Sequence, residues 1–219
     1  MKTVTAPYLP ELEGLVNVND ISTLLDSSGD RQHINEHPWP EFPYVPLTTF
    51  SIGHSDTALY IEYFVRCNYL RAENYTNQSP VSQDSCVEFF VIPDIVNAPA
   101  RYFNFEFNCI GAVNASHRER RDNPTRLTDA EIDIIKRYPS CGTRPFCEME
   151  GMFAWSLLVR IPFELMGVRY TPGQSLEMRA NFYKCASATS APHYLTWARV
   201  ESEKPNFHCP ADFGRLIIQ

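Results

Sequence analysis

From residue 57 onward the chain alternates between apolar and polar positions. Within residues 57–66, Leu59, Ile61, Tyr63 and Val65 fall on one side, and Tyr60, Glu62, Phe64 and Arg66 on the other. That period of two is what a β-strand imposes, because successive side chains point to opposite faces. Residues 84–93 repeat it, with Val87, Phe89 and Val91 opposite Cys86, Glu88 and Phe90. Residues 101–109 are the cleanest instance: Phe103, Phe105, Phe107 and Cys109 alternate with Asn104, Glu106 and Asn108. Further strands are predicted over 152–161, 176–185, 194–200 and 214–219. One short helix interrupts them. Thr128-Asp-Ala-Glu131 is a capping box, followed by Ile132 and Ile135, with Lys136 and Arg137 near the helix end. Residues 161–167 read as a strand end feeding a single turn.

Punctuation supports the same picture. Seventeen prolines against nine glycines predict many short elements joined by rigid turns. Residues 1–45 read as an extended lead-in ending in the proline-dense stretch 37–46, which disfavours helix and central strand alike. Residues 46–219 then form one domain packed with that lead-in. The predicted fold is all-β: an antiparallel β-sandwich, jelly-roll or immunoglobulin-like, with one short loop helix.

Charge and composition narrow the function. Over 219 residues, 19 basic against 26 acidic side chains leave a net charge of −7. A chain of this sign lacks the footprint that nucleic-acid phosphates require. No apolar run approaches the roughly 18–20 residues of a membrane span. Residues 1–15, with Pro7, Pro10, Glu11 and Glu13, do not form a signal peptide, so the compartment stays open between cytoplasm and secretion with a leader removed. Seven cysteines are an odd number. They read best as reduced packing residues, although Cys141 and Cys147 flank a loop short enough to be closed. Phosphate loops, paired Cys-x-x-Cys motifs and the common nucleophile and metalloprotease motifs are absent.

What remains is a polar set on the alternate faces of apolar strands. Glu88 sits on one strand, Glu106 and Asn108 on the next, and Arg179, Asn181 and Tyr183 on a third, where Leu176, Met178, Ala180 and Phe182 point inward. Short planar groups that donate and accept in pairs suit the vicinal hydroxyls of a sugar. The apolar face of a sugar ring calls for an aromatic platform, for which Tyr183, Tyr194, Trp197 and Phe207 are available.

The motifs resemble one family. Asp84-Ser-Cys-Val-Glu-Phe-Phe-Val-Ile-Pro93 is similar to the D-x-V-E-x-F strand of family 9 carbohydrate-binding modules, and Asp56-Thr-Ala-Leu-Tyr-Ile61 to their D-x-x-L-Y-V strand. Residues 102–111, 155–167, 179–183 and 207–214, with Trp197, resemble the later segments in the correct order. The resemblance implies a β-sandwich that binds glucan, xylan or simple sugars, often at chain ends. It also implies structural calcium, association with glycoside hydrolases and a place in plant-polysaccharide catabolism. Carried over by position, the resemblance implies Glu88, Glu106, Asn108, Arg179 and Asn181 as binding residues; with Tyr183, Phe207 and the adjacent His208 they make up the candidate ligand-binding set, with no catalytic residue assigned. The tryptophan pair with which family members clamp a sugar is not reproduced. Val81-Ser82-Gln83 stands where one is expected, and Phe207 near the other.

Two alternatives accompany this reading, together with candidate ligands for the implied calcium. Glu88 and Glu106 form a possible carboxylate pair for glycoside hydrolysis. Met149, Met152, His193 and His208 are the candidate axial ligands for a haem. Asp20, Asp26, Asp30 and Asp56 are acidic loop candidates for calcium, without a recognisable ligand spacing.

Overall fold

Alternation translates into two stacked sheets in the computed structural model, which describes residues 1–96 and 101–219. The smaller sheet runs β2 (Asp30–His33), β3 (Leu47–His54), β4 (Ala58–Ala72), β10 (Phe146–Pro162), β9 (Lys136–Pro139). The larger runs β1 (Thr3–Ala6), β13 (Gly214–Ile218), β11 (Leu176–Ala186), β5 (Cys86–Ile92), β6 (Tyr102–Asn108), β7 (Val113–Arg118), β8 (Pro124–Arg126), with β12 (His193–Thr196) pairing off β11. All pairings within these sheets are antiparallel except β1 with β13, which is parallel. Among the described residues no helix is long and apolar enough to cross a membrane.

The apolar half of each alternation forms the layer between the sheets. Phe50 from the smaller sheet stacks on Phe182 of the larger, ring centroids 3.8 Å apart. Phe89 leans on Phe182 at 5.1 Å, and Trp197 meets it edge-on at 5.6 Å. The Tyr63 hydroxyl crosses the layer to donate to the Glu88 carbonyl at 3.2 Å.

Two expectations are corrected. Residues 1–45 are not an extended lead-in: they hold β1, β2 and an 11-residue helix, α1 (Val18–Ser28). Asn17 caps α1 by accepting from the Asn19 backbone N–H at 2.9 Å, and Ile21 and Leu25 bury one face under Tyr60 and Leu158. The capping box at Thr128 does start a helix, α2 (Asp129–Asp133), but it stops short of Lys136 and Arg137, which belong to strand β9. Beyond β7, which ends with Ser116, His117 and Arg118, the chain turns through a charged run to residue 122.

The larger sheet is covered on both faces. Its outer face carries a second apolar cluster in which Phe90, Tyr102 and Tyr183 lie beneath Trp39, Val200, Phe207 and Phe213. Trp39 pins this cover by donating its indole N–H to the Ser202 carbonyl at 2.9 Å.

Because Phe182 joins both sheets in the fully buried layer, Phe182→Ala is expected to cost about 3–5 kcal/mol of unfolding free energy. Urea denaturation checks this, and a loss below about 1 kcal/mol would remove the stack from its central role.

Candidate functional site

Strand register builds the site. On the outer face of the larger sheet, Tyr183, Glu88, Glu106 and Asn114 stand side by side in one row across β11, β5, β6 and β7. The neighbouring row on one side is Cys185, Cys86 and Asn108; on the other it is Asn181, Phe90, Asn104 and Ser116. The alternation seen in the sequence therefore does gather the candidate residues on one face. The cover then separates them.

Glu88 and Glu106 line a cleft of about 240 Å³ at the edge of the cover, together with Phe207, His208, Tyr194 and Arg121. Both carboxyls are almost fully buried. Glu106 is held from two sides: Asn104 donates its amide N–H to Oε1 at 3.0 Å, and Asn114 to Oε2 at 3.1 Å. Glu88 instead faces thiols, with Cys185 Sγ 3.1 Å and Cys86 Sγ 3.9 Å from its Oε1. Burial pushes both acids above the usual carboxylate range, and for Glu88 the charges of Cys185 and Glu106 add to it.

The wall opposite is aromatic. Phe207 stacks on Tyr183, with centroids 4.1 Å apart and planes at 13°. Tyr194 and Trp39 meet Phe207 at 6.2 and 6.0 Å. His208 shares a hydrogen bond between Nδ1 and the Tyr102 hydroxyl at 3.1 Å.

The remaining candidates serve the fold. Arg179 donates to the Phe213 and Gly214 carbonyls. Asn181 donates to the Ala198 carbonyl at 2.9 Å and accepts from its N–H at 2.8 Å. Tyr183 is fully buried and donates to the Phe207 carbonyl at 3.0 Å. Asn108 donates to the Asn74 carbonyl and the Asp84 carboxylate. Of the eight candidates the structure brings Glu88, Glu106, Phe207 and His208 to the cleft, and Arg179, Asn181, Tyr183 and Asn108 lie outside its lining.

Several lining residues escaped the sequence reading. Ser82 and Cys185 border Glu88, and Arg121 arrives from the charged turn after β7. Ser82 lies where a family tryptophan was expected, so that position and Phe207 both border the cleft. Loop closure brings Arg121 in, and no local pattern encodes it.

The other proposed ligands do not converge. Asp26 pairs with Arg31, Asp30 accepts from the Thr5 backbone, and Asp56 accepts from the Tyr8 hydroxyl. Those aspartates do not fit a shared calcium cage. Met149 and Met152 are exposed on β10, His193 is buried against Lys184 at 2.9 Å, and His208 sits at the cleft. All seven cysteines are free thiols, Cys141 and Cys147 included. A wider depression of about 680 Å³, beside Arg160, Arg169 and Tyr170, holds none of the sequence candidates.

The model of carbohydrate-binding family 9 matches residues 19–218. A solved candidate carbohydrate-binding protein from Bacteroides uniformis is similar at a TM-score of 0.91 and 29% identity, over 100% of this chain and 99% of that one. A family 9 module from Caldicellulosiruptor kristjanssonii, solved with glucose, gives a TM-score of 0.59 at 14% identity, covering 100% of this chain and 96% of that one. The structure of a module of that family and organism with cellotriose gives 0.60 at 13%, covering 100% and 94%. The last two share the fold. No curated protein matches the chain.

Burial, with Arg118 and Arg121 nearby, pushes the His208 imidazole down to about 3 from 6.5. The folded protein then resists a proton that the unfolded chain accepts, so stability falls as pH drops from about 6.5 toward about 3. Removing the imidazole removes that share of the loss. The urea midpoint of the wild type is therefore expected to fall further over this window than that of His208→Gln. Equal falls would contradict a neutral buried imidazole.

Proposed function

The chain belongs to carbohydrate-binding family 9 and is a carbohydrate-binding module; within it, we propose that the Glu88–Glu106 cleft holds the terminal ring of a β-glucan or related plant oligosaccharide. The observation that carries this reading is the in-register carboxylate pair beneath an aromatic wall. Two carboxyls side by side accept from vicinal hydroxyls, Arg121 offers donors, and the edges of Tyr194 and Phe207 meet the apolar C–H face. The cleft, at about 240 Å³, is smaller than the roughly 300–1,000 Å³ of pockets for drug-sized ligands. That size supports a chain end over the middle of a polymer. Glucose and cellotriose, the ligands named with the two family 9 structures, point to a glucan.

Placement also bears on hydrolysis. Glycosidases set their two carboxyls on either side of the scissile bond. Glu88 and Glu106 instead approach from one sheet face, on adjacent strands. That arrangement supports holding a sugar over cleaving it.

The test is calorimetric titration of the full chain with glucose, cello-oligosaccharides and xylo-oligosaccharides, each also in borohydride-reduced form. Saturable heat that disappears on reduction is expected, since the reduced end has lost its ring. Glu106→Gln is expected to weaken binding about 10–100-fold, the equivalent of one charge-assisted hydrogen bond of about 1.5–3 kcal/mol. No heat with any of these sugars, in protein shown by circular dichroism to be folded, would overturn the assignment.

A further inference from the structure

We infer that Cys86, Glu88 and Cys185 form a binding site for a borderline-soft divalent cation of the zinc type at the floor of the cleft. These residues are the one group of three potential His, Cys, Asp or Glu ligands found among the described residues, with all three ligand atoms within 4.8 Å of one another. Each is buried. Register places them there: Cys86 and Cys185 are direct cross-strand partners, and Glu88 lies two residues further along β5 on the same face.

The spacing fits tetrahedral coordination. Zinc–sulfur bonds of about 2.3 Å and zinc–oxygen bonds of about 2.1 Å put a coordinated sulfur and oxygen about 3.6 Å apart. The Glu88 Oε1 atom is 3.1 Å from Cys185 Sγ and 3.9 Å from Cys86 Sγ, so small side-chain rotations equalise the two. Chemistry agrees with geometry. Thiols are weak donors, and they are the hydrogen-bond partners of a buried acid whose row neighbour is a second buried acid. Burial of a charge in that setting is costly unless a cation joins it.

Ligand softness selects the ion. Two thiolates and one carboxylate suit zinc or cadmium, whereas magnesium and calcium prefer all-oxygen sets. Binding releases the protons held on the two sulfurs. Three protein ligands leave a fourth position, and because Glu88 and Cys185 line the cleft, that position is filled from the cleft side. The site does not depend on the sugar assignment.

Cobalt(II) is the probe. The full chain carrying Cys147→Ser, which removes the exposed thiol, is reduced, stripped with a chelator and titrated anaerobically. The expected result is saturation at one cobalt per chain, with thiolate-to-cobalt charge transfer in the near ultraviolet and the visible bands of a tetrahedral ion. Cys86→Ser and Cys185→Ser should each reduce the charge-transfer band by about half or more. Its absence in the parent, or its persistence in the double variant, would overturn the site. If a serine variant fails to fold, the parent itself decides. Bound zinc should slow alkylation of Cys185, the ligand thiol that lines the cleft, while Cys209 stays reactive, and a Cys185 that reacts in the metal-free chain and equally fast with zinc would overturn the site.

Discussion

The structure turns on the covering of a sheet face that an antiparallel sandwich would normally leave in water. Residues 200–213 and Trp39 lie across the outer face of β11, β5 and β6, burying Phe90, Tyr102 and Tyr183. Three alternate residues of β11 tie that cover down. Arg179 takes the Phe213 carbonyl, Asn181 takes both backbone groups of Ala198, and Tyr183 takes the Phe207 carbonyl. A strap of irregular backbone would otherwise bury unpaired polar groups, and these side chains answer that demand. The cleft is the part of the face that the strap leaves open.

This arrangement explains why two carboxyls survive in so dry a place. Glu106 is satisfied by Asn104 and Asn114, and Asn104 in turn accepts from Ser116 and Arg118. Such a chain of hydrogen bonds holds the carboxyl in one orientation before any ligand arrives. Glu88 has no amide donor of that kind; its neighbours are thiols. The two acids thus occupy the same row with different environments: Glu106 is anchored by one amide on each oxygen and keeps a lone pair on each, whereas Glu88 meets only thiols.

The departures from the family's tryptophan clamp become physically interpretable here. Ser82 and Phe207 both border the cleft, so the clamp positions persist while their side chains are smaller. Phe207 is already committed to stacking on Tyr183 and is more than nine-tenths buried. On the proposed reading, a sugar held here gains less from ring stacking and more from polar contacts, which places the weight on Glu106, Glu88 and Arg121.

Much of the fold was legible in the chain because strand period and burial are local signals. Phe103, Phe105 and Phe107 announce an inward face with no knowledge of their partners. The capping box at Thr128 located α2, yet its end was misjudged because Lys136 and Arg137 fit a helix terminus as well as an edge strand. Helix α1 carried its own signal in Asn17, Ile21 and Leu25, which the nearby prolines obscured. The site was half legible. Alternation alone put Glu88, Glu106, Arg179 and Asn181 on one face, since that depends only on strand geometry. Which of them lines the cleft depends on where residues 200–213 fold back, a long-range contact that no local pattern carries. The sequence by itself determined the sheets and the polar face; only the tertiary structure decided that Arg179 and Asn181 would hold the strap while Glu88 and Glu106 stayed open, because backbone groups in the strap claimed the first pair and left the second unclaimed.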